Sequence, residues 1–192
     1  MAEKKMLVVL GSPRKNGNST ILANKLVEGA TEAGAEVETI FLQGMKIAPC
    51  NACDACRKNP KAGCAIKDDM IPLYKKIERA DAIVLASPTY WFNMSAQMKA
   101  FIDRTYAMEK DGKYGFSGKI FGIIMTYADV DAFDAGAVNA LRSFQDMCAF
   151  VGSKIVGIVH GSAEKAGEIN DNEKLLQAAF DLGTKLAIEK QE

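Results

Sequence analysis

Apolar stretches of strand length alternate along the chain with segments whose apolar residues recur at helical spacing. Residues 6–10, 82–86, 120–125 and 155–159 are nearly unbroken apolar runs, the pattern of parallel strands covered on both faces. Residues 37–42 make a weaker run that carries Glu38, which suits a sheet edge. Between the runs lie stripes of helical period. One holds Leu22, Leu26 and Ala30, and a second Met70, Leu73, Tyr74 and Ile77. A third holds Met94, Met98, Phe101 and Ile102, and a fourth Ala137, Leu141, Phe144, Cys148 and Val151. A last amphipathic segment over 172–190 presents Leu175, Ala179, Leu182 and Leu186.

Five strands alternating with five helices predict an α/β fold, a doubly wound five-stranded parallel sheet with right-handed crossovers and helices on both faces. The strand order 2-1-3-4-5 puts the weak second strand at an edge and opens a ligand crevice at the carboxyl ends of strands one and three. No repeat, linker or low-complexity tract divides the chain, so 1–192 reads as a single domain. Two long excursions interrupt the alternation: 43–67, a cysteine-rich insertion, and 109–119. Loops of such length in a compact domain are usually functional or mobile.

Composition removes several classes. The chain is 48% apolar, too much for a disordered segment. Its 24 Lys and Arg balance 24 Asp and Glu, so no basic field points to nucleic acid. No run approaches the roughly 20 apolar residues of a bilayer helix, and residues 1–6 lead straight into a strand without a leader pattern. A cytoplasmic protein that meets neither membrane nor nucleic acid is expected. In that compartment clustered cysteines more often bind metal or do redox work than form structural disulfides.

Between the first strand and the first helix runs Gly11-Ser12-Pro13-Arg14-Lys15-Asn16-Gly17-Asn18-Ser19-Thr20. Free backbone N–H groups and the helix dipole favour an anion there. Ser12, Ser19 and Thr20 add hydroxyls, Asn16 and Asn18 add amides, and Arg14 adds a permanent charge. The loop is neither a nucleotide P-loop nor a dinucleotide fingerprint, since Gly-Lys-Ser/Thr and G-x-G-x-x-G are both missing. The plainer alternative is a polar turn with Ser19 or Asn18 as helix cap. A second loop, Ser87-Pro88-Thr89-Tyr90-Trp91-Phe92-Asn93, leaves the third strand with the only Trp beside a Tyr and a Phe. Aromatic rings in such a loop are unfavourable unless they cover something flat, fold into the core or meet a partner. The fourth strand ends at Thr126-Tyr127-Ala128-Asp129, a third rim segment able to complete a pocket.

Four of the five cysteines form the run Cys50-x2-Cys53-x2-Cys56-x7-Cys64. Three thiols at two-residue gaps can converge on one point, and the fourth can close the shell. A [4Fe–4S] cube uses such a run, whereas structural zinc more often draws two C-x2-C pairs from separate segments. Free or disulfide-forming thiols are the remaining alternative. Arg57, Lys58 and Lys61 surround this loop, either as ordinary solvated cations or as a steering patch for an acidic carrier. Cys148, on an apolar stripe, reads as a core residue. His160, the sole histidine, reads as a polar strand end rather than a base.

Gly-Ser-Pro-Arg-x-x-Gly-Asn-Ser at 11–19, Asp68-Asp69-Met70, Ala80-Asp81-Ala82, Ser87-Pro88-x-Tyr90 and Lys99-Ala100-Phe101-Ile102-Asp103-Arg104 resemble the NADPH-dependent FMN reductase branch of the flavodoxin-like superfamily. The likeness covers nearly the whole chain. With the cysteine run added, the sequence resembles the iron–sulfur flavoproteins of anaerobic microbes, which hold FMN and one [4Fe–4S] cluster per subunit. The resemblance implies FMN, with Ser12, Arg14, Asn16, Asn18, Ser19 and Thr20 around its phosphate. Pro88, Thr89, Tyr90, Trp91, Phe92 and Asn93 would line the ring, with Thr126 and Tyr127 in the same pocket. It maps the cluster ligands to Cys50, Cys53, Cys56 and Cys64, and leaves Asp103 and Arg104 to pair locally.

The expected activity is that of an oxidoreductase without a side-chain nucleophile or general base. Electrons would pass from a one-electron donor such as ferredoxin, via the cluster, to FMN and a small acceptor such as a quinone or dioxygen. Two alternatives stand beside it: an NAD(P)H-dependent FMN or quinone reductase without a cluster, and a non-catalytic electron carrier or redox sensor. The aromatic loop and the 109–119 excursion suggest self-association, and the resemblance implies a homodimer or homotetramer in which a cluster serves a neighbour's FMN.

Overall fold

The computed structural model describes residues 3–190. Its sheet contains β1 (Lys5–Leu10), β2 (Glu36–Phe41), β3 (Ala82–Tyr90), β4 (Asn93–Met94), β5 (Ile120–Tyr127) and β6 (Lys154–Ser162). Five of these run parallel in the order β2-β1-β3-β5-β6, which is the spatial order expected of the five apolar runs. The weak run lies at the edge, where β2 exposes Glu36, Glu38 and Thr39 and buries Ile40. The central strands are mostly apolar because both faces are covered: β5 is buried from end to end.

The expectation of five strands needs one correction, since β4 is a sixth, two residues long and antiparallel to the end of β3. Strand β3 continues past its apolar run to Tyr90, and the chain reverses through Trp91 and Phe92, at φ 46° and 62°. Positive φ at both central residues of a two-residue loop gives the turn whose twist matches an antiparallel pair. Such turns normally carry Asn or Gly, so a Trp-Phe pair hides the hairpin from a reading of the residues.

Helices α1 (Asn18–Glu32), α2 (Ala55–Lys58), α3 (Met70–Arg79), α4 (Ala96–Arg104), α5 (Ala137–Phe150) and α6 (Glu173–Ile188) complete the fold. Helices α1 and α6 cover one sheet face, packing Leu22, Leu26, Leu182 and Leu186 against Val8, Val84 and Ile124. On the other face α3, α4 and α5 bring Leu73, Met98, Phe101 and Phe144 against Val9, Ile83 and Ile123. Backbones of α1 and α6 nearly touch, because a Cβ on Gly183 would stand 2.0 Å from the Leu26 carbonyl oxygen. That close packing holds the middle of α1 against α6. Among the described residues no helix is long and apolar enough to cross a membrane.

Candidate functional site

The 11–20 loop is built to leave donors open. Gly17 caps α1 and offers no side chain to it, so the first-turn N–H groups have no intrahelical partner. The turn before it is closed internally. Ser12 Oγ donates to the Arg14 carbonyl and accepts from the Arg14 N–H, both at 3.1 Å, and Gly17 N–H donates to the same carbonyl at 3.1 Å. Thr20 Oγ1 reaches that carbonyl at 3.4 Å. A Cβ on Gly17 would come within 2.5 Å of Ser12 Oγ, so only glycine leaves the cradle its shape. Arg14 and Asn16 are exposed at its rim. Ser19 Oγ is buried without a hydrogen-bond partner.

Asn18 has a different place. Its amide donates to the carbonyls of Ala163 and Lys165, at 3.1 and 2.9 Å, and its oxygen accepts from Gly167 and Ile169. The side chain is saturated by the loop after β6 and holds that loop against the start of α1.

A hydrogen-bonded chain joins the anion loop to the aromatic one. Gly11 N–H donates to the Ala86 carbonyl at 2.8 Å. Ser95 Oγ donates to the Gly11 carbonyl at 2.7 Å and caps α4, and its N–H donates to Ser87 Oγ at 2.9 Å. Ser95 escaped the reading of the residues, although a serine just before an amphipathic stripe is a helix-start signal. Beyond Ser87, a cavity of about 550 Å3 is lined by Thr89, Tyr90, Trp91, Phe92, Tyr127, Ala128, Asp129, Asp134 and Ala135. Pro88 is half-buried, Thr126 is buried, and Asn93 lies exposed in β4. Thr89 Oγ1 is a second buried hydroxyl without a partner. Burial and the nearby Asp131 push the Tyr127 phenol up from its ordinary pKa. Its oxygen lies 3.2 Å from His160 Nδ1, so the lone histidine reaches the cavity through Tyr127, a link that strand position alone does not reveal.

Cys50, Cys53, Cys56 and Cys64 all line one small hollow, with Arg104 and Tyr106 in its wall. On either side of Cys53, Ala52 and Asp54 hold φ of 53° and 55°, left-handed conformations that an aspartate tolerates but that cost about 1–2 kcal/mol at Ala52. Strain of this sort is found where a loop must aim side chains. The hollow measures about 20 Å3, and among the described residues no group of three or more His, Cys, Asp or Glu is gathered to hold a metal ion. The thiols are brought together but not closed on a single ion.

Three of the charged residues around this loop, Arg57, Asp103 and Arg104, are paired. Arg57 forms an ion pair with Glu109 and stacks 4.3 Å from the centre of the Tyr106 ring, whereas Lys58 and Lys61 are exposed. Asp103 pairs locally, with Lys99 at 2.6 Å. Arg104 does not: it is 1% exposed and reaches across the chain to Asp68 at 2.6 and 3.0 Å. The expectation of local pairing is corrected there, because Arg104 ends α4 facing the cysteine loop. Ser95 and Arg104 bracket the nine residues of α4, so the two sites lie at opposite ends of a helix about 14 Å long.

Residues 4–168 match the family model of the NADPH-dependent FMN reductases. The chain belongs to that family. An iron–sulfur flavoprotein of Archaeoglobus fulgidus is 35% identical over 190 residues, covering 95% of this chain and 79% of the relative. Another, from Methanosarcina thermophila, is 33% identical over 153 residues, or 80% and 77% of the two chains. The solved NAD(P)H:quinone oxidoreductase from Methanothermobacter marburgensis shares the fold, with TM-score 0.75 at 20% identity over 98% of this chain and all of that one. The protein is therefore an FMN-dependent oxidoreductase. Its cradle fits the cofactor: the uncapped amides of α1 and the orphaned Ser19 hydroxyl are what a phosphate would satisfy, and the aromatic cavity offers a flat ring its walls. For iron and sulfide the donor chemistry fits, since four thiols and no competing histidine line the hollow.

Proposed function

We propose that this oxidoreductase takes electrons from a one-electron donor such as ferredoxin, using a [4Fe–4S] cluster held by Cys50, Cys53, Cys56 and Cys64, and delivers them to a small acceptor at the ring cavity. Bound there, a cluster supplies one-electron exchange and FMN accepts one electron or two. The chain's own part is to hold and shield. Ser19 and the first-turn amides of α1 would grip the phosphate, with Ser12 and Thr20 beside it shaping the loop through the Arg14 carbonyl, Arg14 and Asn16 at the rim and Asn18 bracing the loop behind. Pro88, Thr89, Tyr90, Trp91, Phe92 and Asn93 would flank the ring, with Thr126 and Tyr127 beneath, excluding water from one side. Within a single domain, the 43–67 insertion would be the part that carries the metal.

The observation behind this reading is the convergence of four cysteines on one hollow, in a chain whose relatives include iron–sulfur flavoproteins. Anaerobic purification or reconstitution followed by iron, sulfide and flavin analysis tests it. About four irons and one FMN per chain are expected. FMN without iron would instead support an NAD(P)H-dependent FMN or quinone reductase, the reading favoured by the family match and by thiols not closed on an ion.

Self-association belongs to the same proposal. Trp91, Val130 and Phe133 are 93%, 86% and 80% exposed near the ring cavity, more apolar surface than a free loop holds comfortably. A homodimer or homotetramer would cover it, and sedimentation of the FMN-loaded protein should show the larger species. Reduced thiols of this kind suit the cytoplasm.

A further inference from the structure

We infer that Arg104 is a positioning residue for the cysteine site, locking both ends of the ligand loop and offering a buried hydrogen bond to whatever the hollow holds. The inference rests on the cluster reading above. Arginine has five N–H donors. Four have acceptors in Arg104: Nη1 donates to Asp68 Oδ2 at 2.6 Å and the Ala48 carbonyl at 2.8 Å, and Nη2 to Asp68 Oδ1 at 3.0 Å and the Ile66 carbonyl at 3.2 Å. Ala48 lies two residues before Cys50, and Ile66 two residues after Cys64. One guanidinium therefore ties together the two ends of the segment that carries all four thiols.

The fifth donor is the informative one. Nε is buried and has no partner, on a side chain that lines the thiol hollow. Buried donors are rarely left so, and a loop clamp alone has no use for it. Tyr74 Oη donates to the Arg104 carbonyl at 3.2 Å, which pins the backbone at that point. Cys64 lines the same hollow as the guanidinium. A sulfur-bearing group held in the hollow would supply the acceptor that Nε lacks. A permanent cation in the wall of the hollow would favour the more negative, reduced state of a cluster held there and would raise its potential.

The test uses the full chain, loaded anaerobically, with two variants. Arg104→Lys keeps a charge but loses the fork. Arg104→Met with Asp68→Leu removes the pair together, which avoids stranding a buried carboxylate. FMN content and circular dichroism report folding, so a collapsed double variant leaves Arg104→Lys to decide. We expect both to release iron to a chelator several-fold faster than wild type, and the remaining cluster to titrate at a more negative potential. Equal release and equal potential in an iron-loaded wild type and Arg104→Lys would overturn the role of Arg104 alone. A wild-type chain that takes up no iron and sulfide would overturn the cluster reading and this inference with it.

Discussion

Arg104 and Asp68 stand 36 residues apart in sequence and meet through two parallel hydrogen bonds of 2.6 and 3.0 Å. Burial by itself would raise the Asp68 carboxyl, but Arg104 and the N–H groups of Ala48 and Met70 outweigh it and hold the pKa below the usual carboxylate value. A depressed folded-state pKa contributes stability above the unfolded value of about 3.9, and that stability is lost as pH falls through the lower folded value.

Asp68→Asn should thus destabilise the metal-free protein by about 3 kcal/mol at neutral pH, the lower end for breaking a buried pair. The gap to wild type should narrow below about pH 4. Urea unfolding at pH 7 and at pH 3 checks this; a gap that is constant with pH would contradict it.

Ser19→Ala should separate stability from binding. Its hydroxyl is buried and unpartnered, so removing it should leave flavin-free stability unchanged or higher. Losing a hydrogen bond to a charged phosphate should weaken FMN binding about tenfold. Thermal melts without FMN and fluorescence titration with it read the two quantities.

Gly136 opens α5 at φ 64°, and a Cβ there would lie 2.5 Å from Phe92 Cδ1. Gly136→Ala should cost at least about 1–2 kcal/mol from its left-handed backbone and should also displace Phe92 and weaken FMN binding. Gly152→Ala is the control: its φ is 67° and the space around it is open. That variant should lose stability alone, as urea unfolding and FMN titration of the two would show.

Burial pushes the Cys148 thiol up to about 12. In folded, metal-free protein at pH 8, iodoacetamide should modify exposed Cys50 and Cys53 well before Cys148, as peptide mass spectrometry would show. Because the unfolded thiol ionises near 8.5 and the folded one higher, this group makes stability decline as pH rises above about 8.5.

Residues that act through local pattern were legible in the sequence, and those that act through distant pairing were not. Runs such as 120–125 announced β5 because a strand covered on both faces has no polar side to show. The C-x2-C-x2-C spacing announced the thiol hollow for a similar reason, since it depends on one short loop. The β3–β4 hairpin was hidden because Trp91 and Phe92 lack the residues that ordinarily mark positive φ. Asn18 looked like an anion ligand, yet its saturation by residues 163–169 depends on a loop nearly 150 positions away. Arg104 likewise carries no sign in its own helix of the carboxylate that holds it.

The most direct measurement compares flavin reduction by reduced ferredoxin in anaerobic, FMN-loaded wild type and Cys56→Ser. The proposed ligand set predicts that the variant keeps its FMN but is reduced more than about tenfold more slowly, a barrier difference of about 1.4 kcal/mol. Equal rates at equal FMN content would show that the cysteine loop takes no part in delivering electrons.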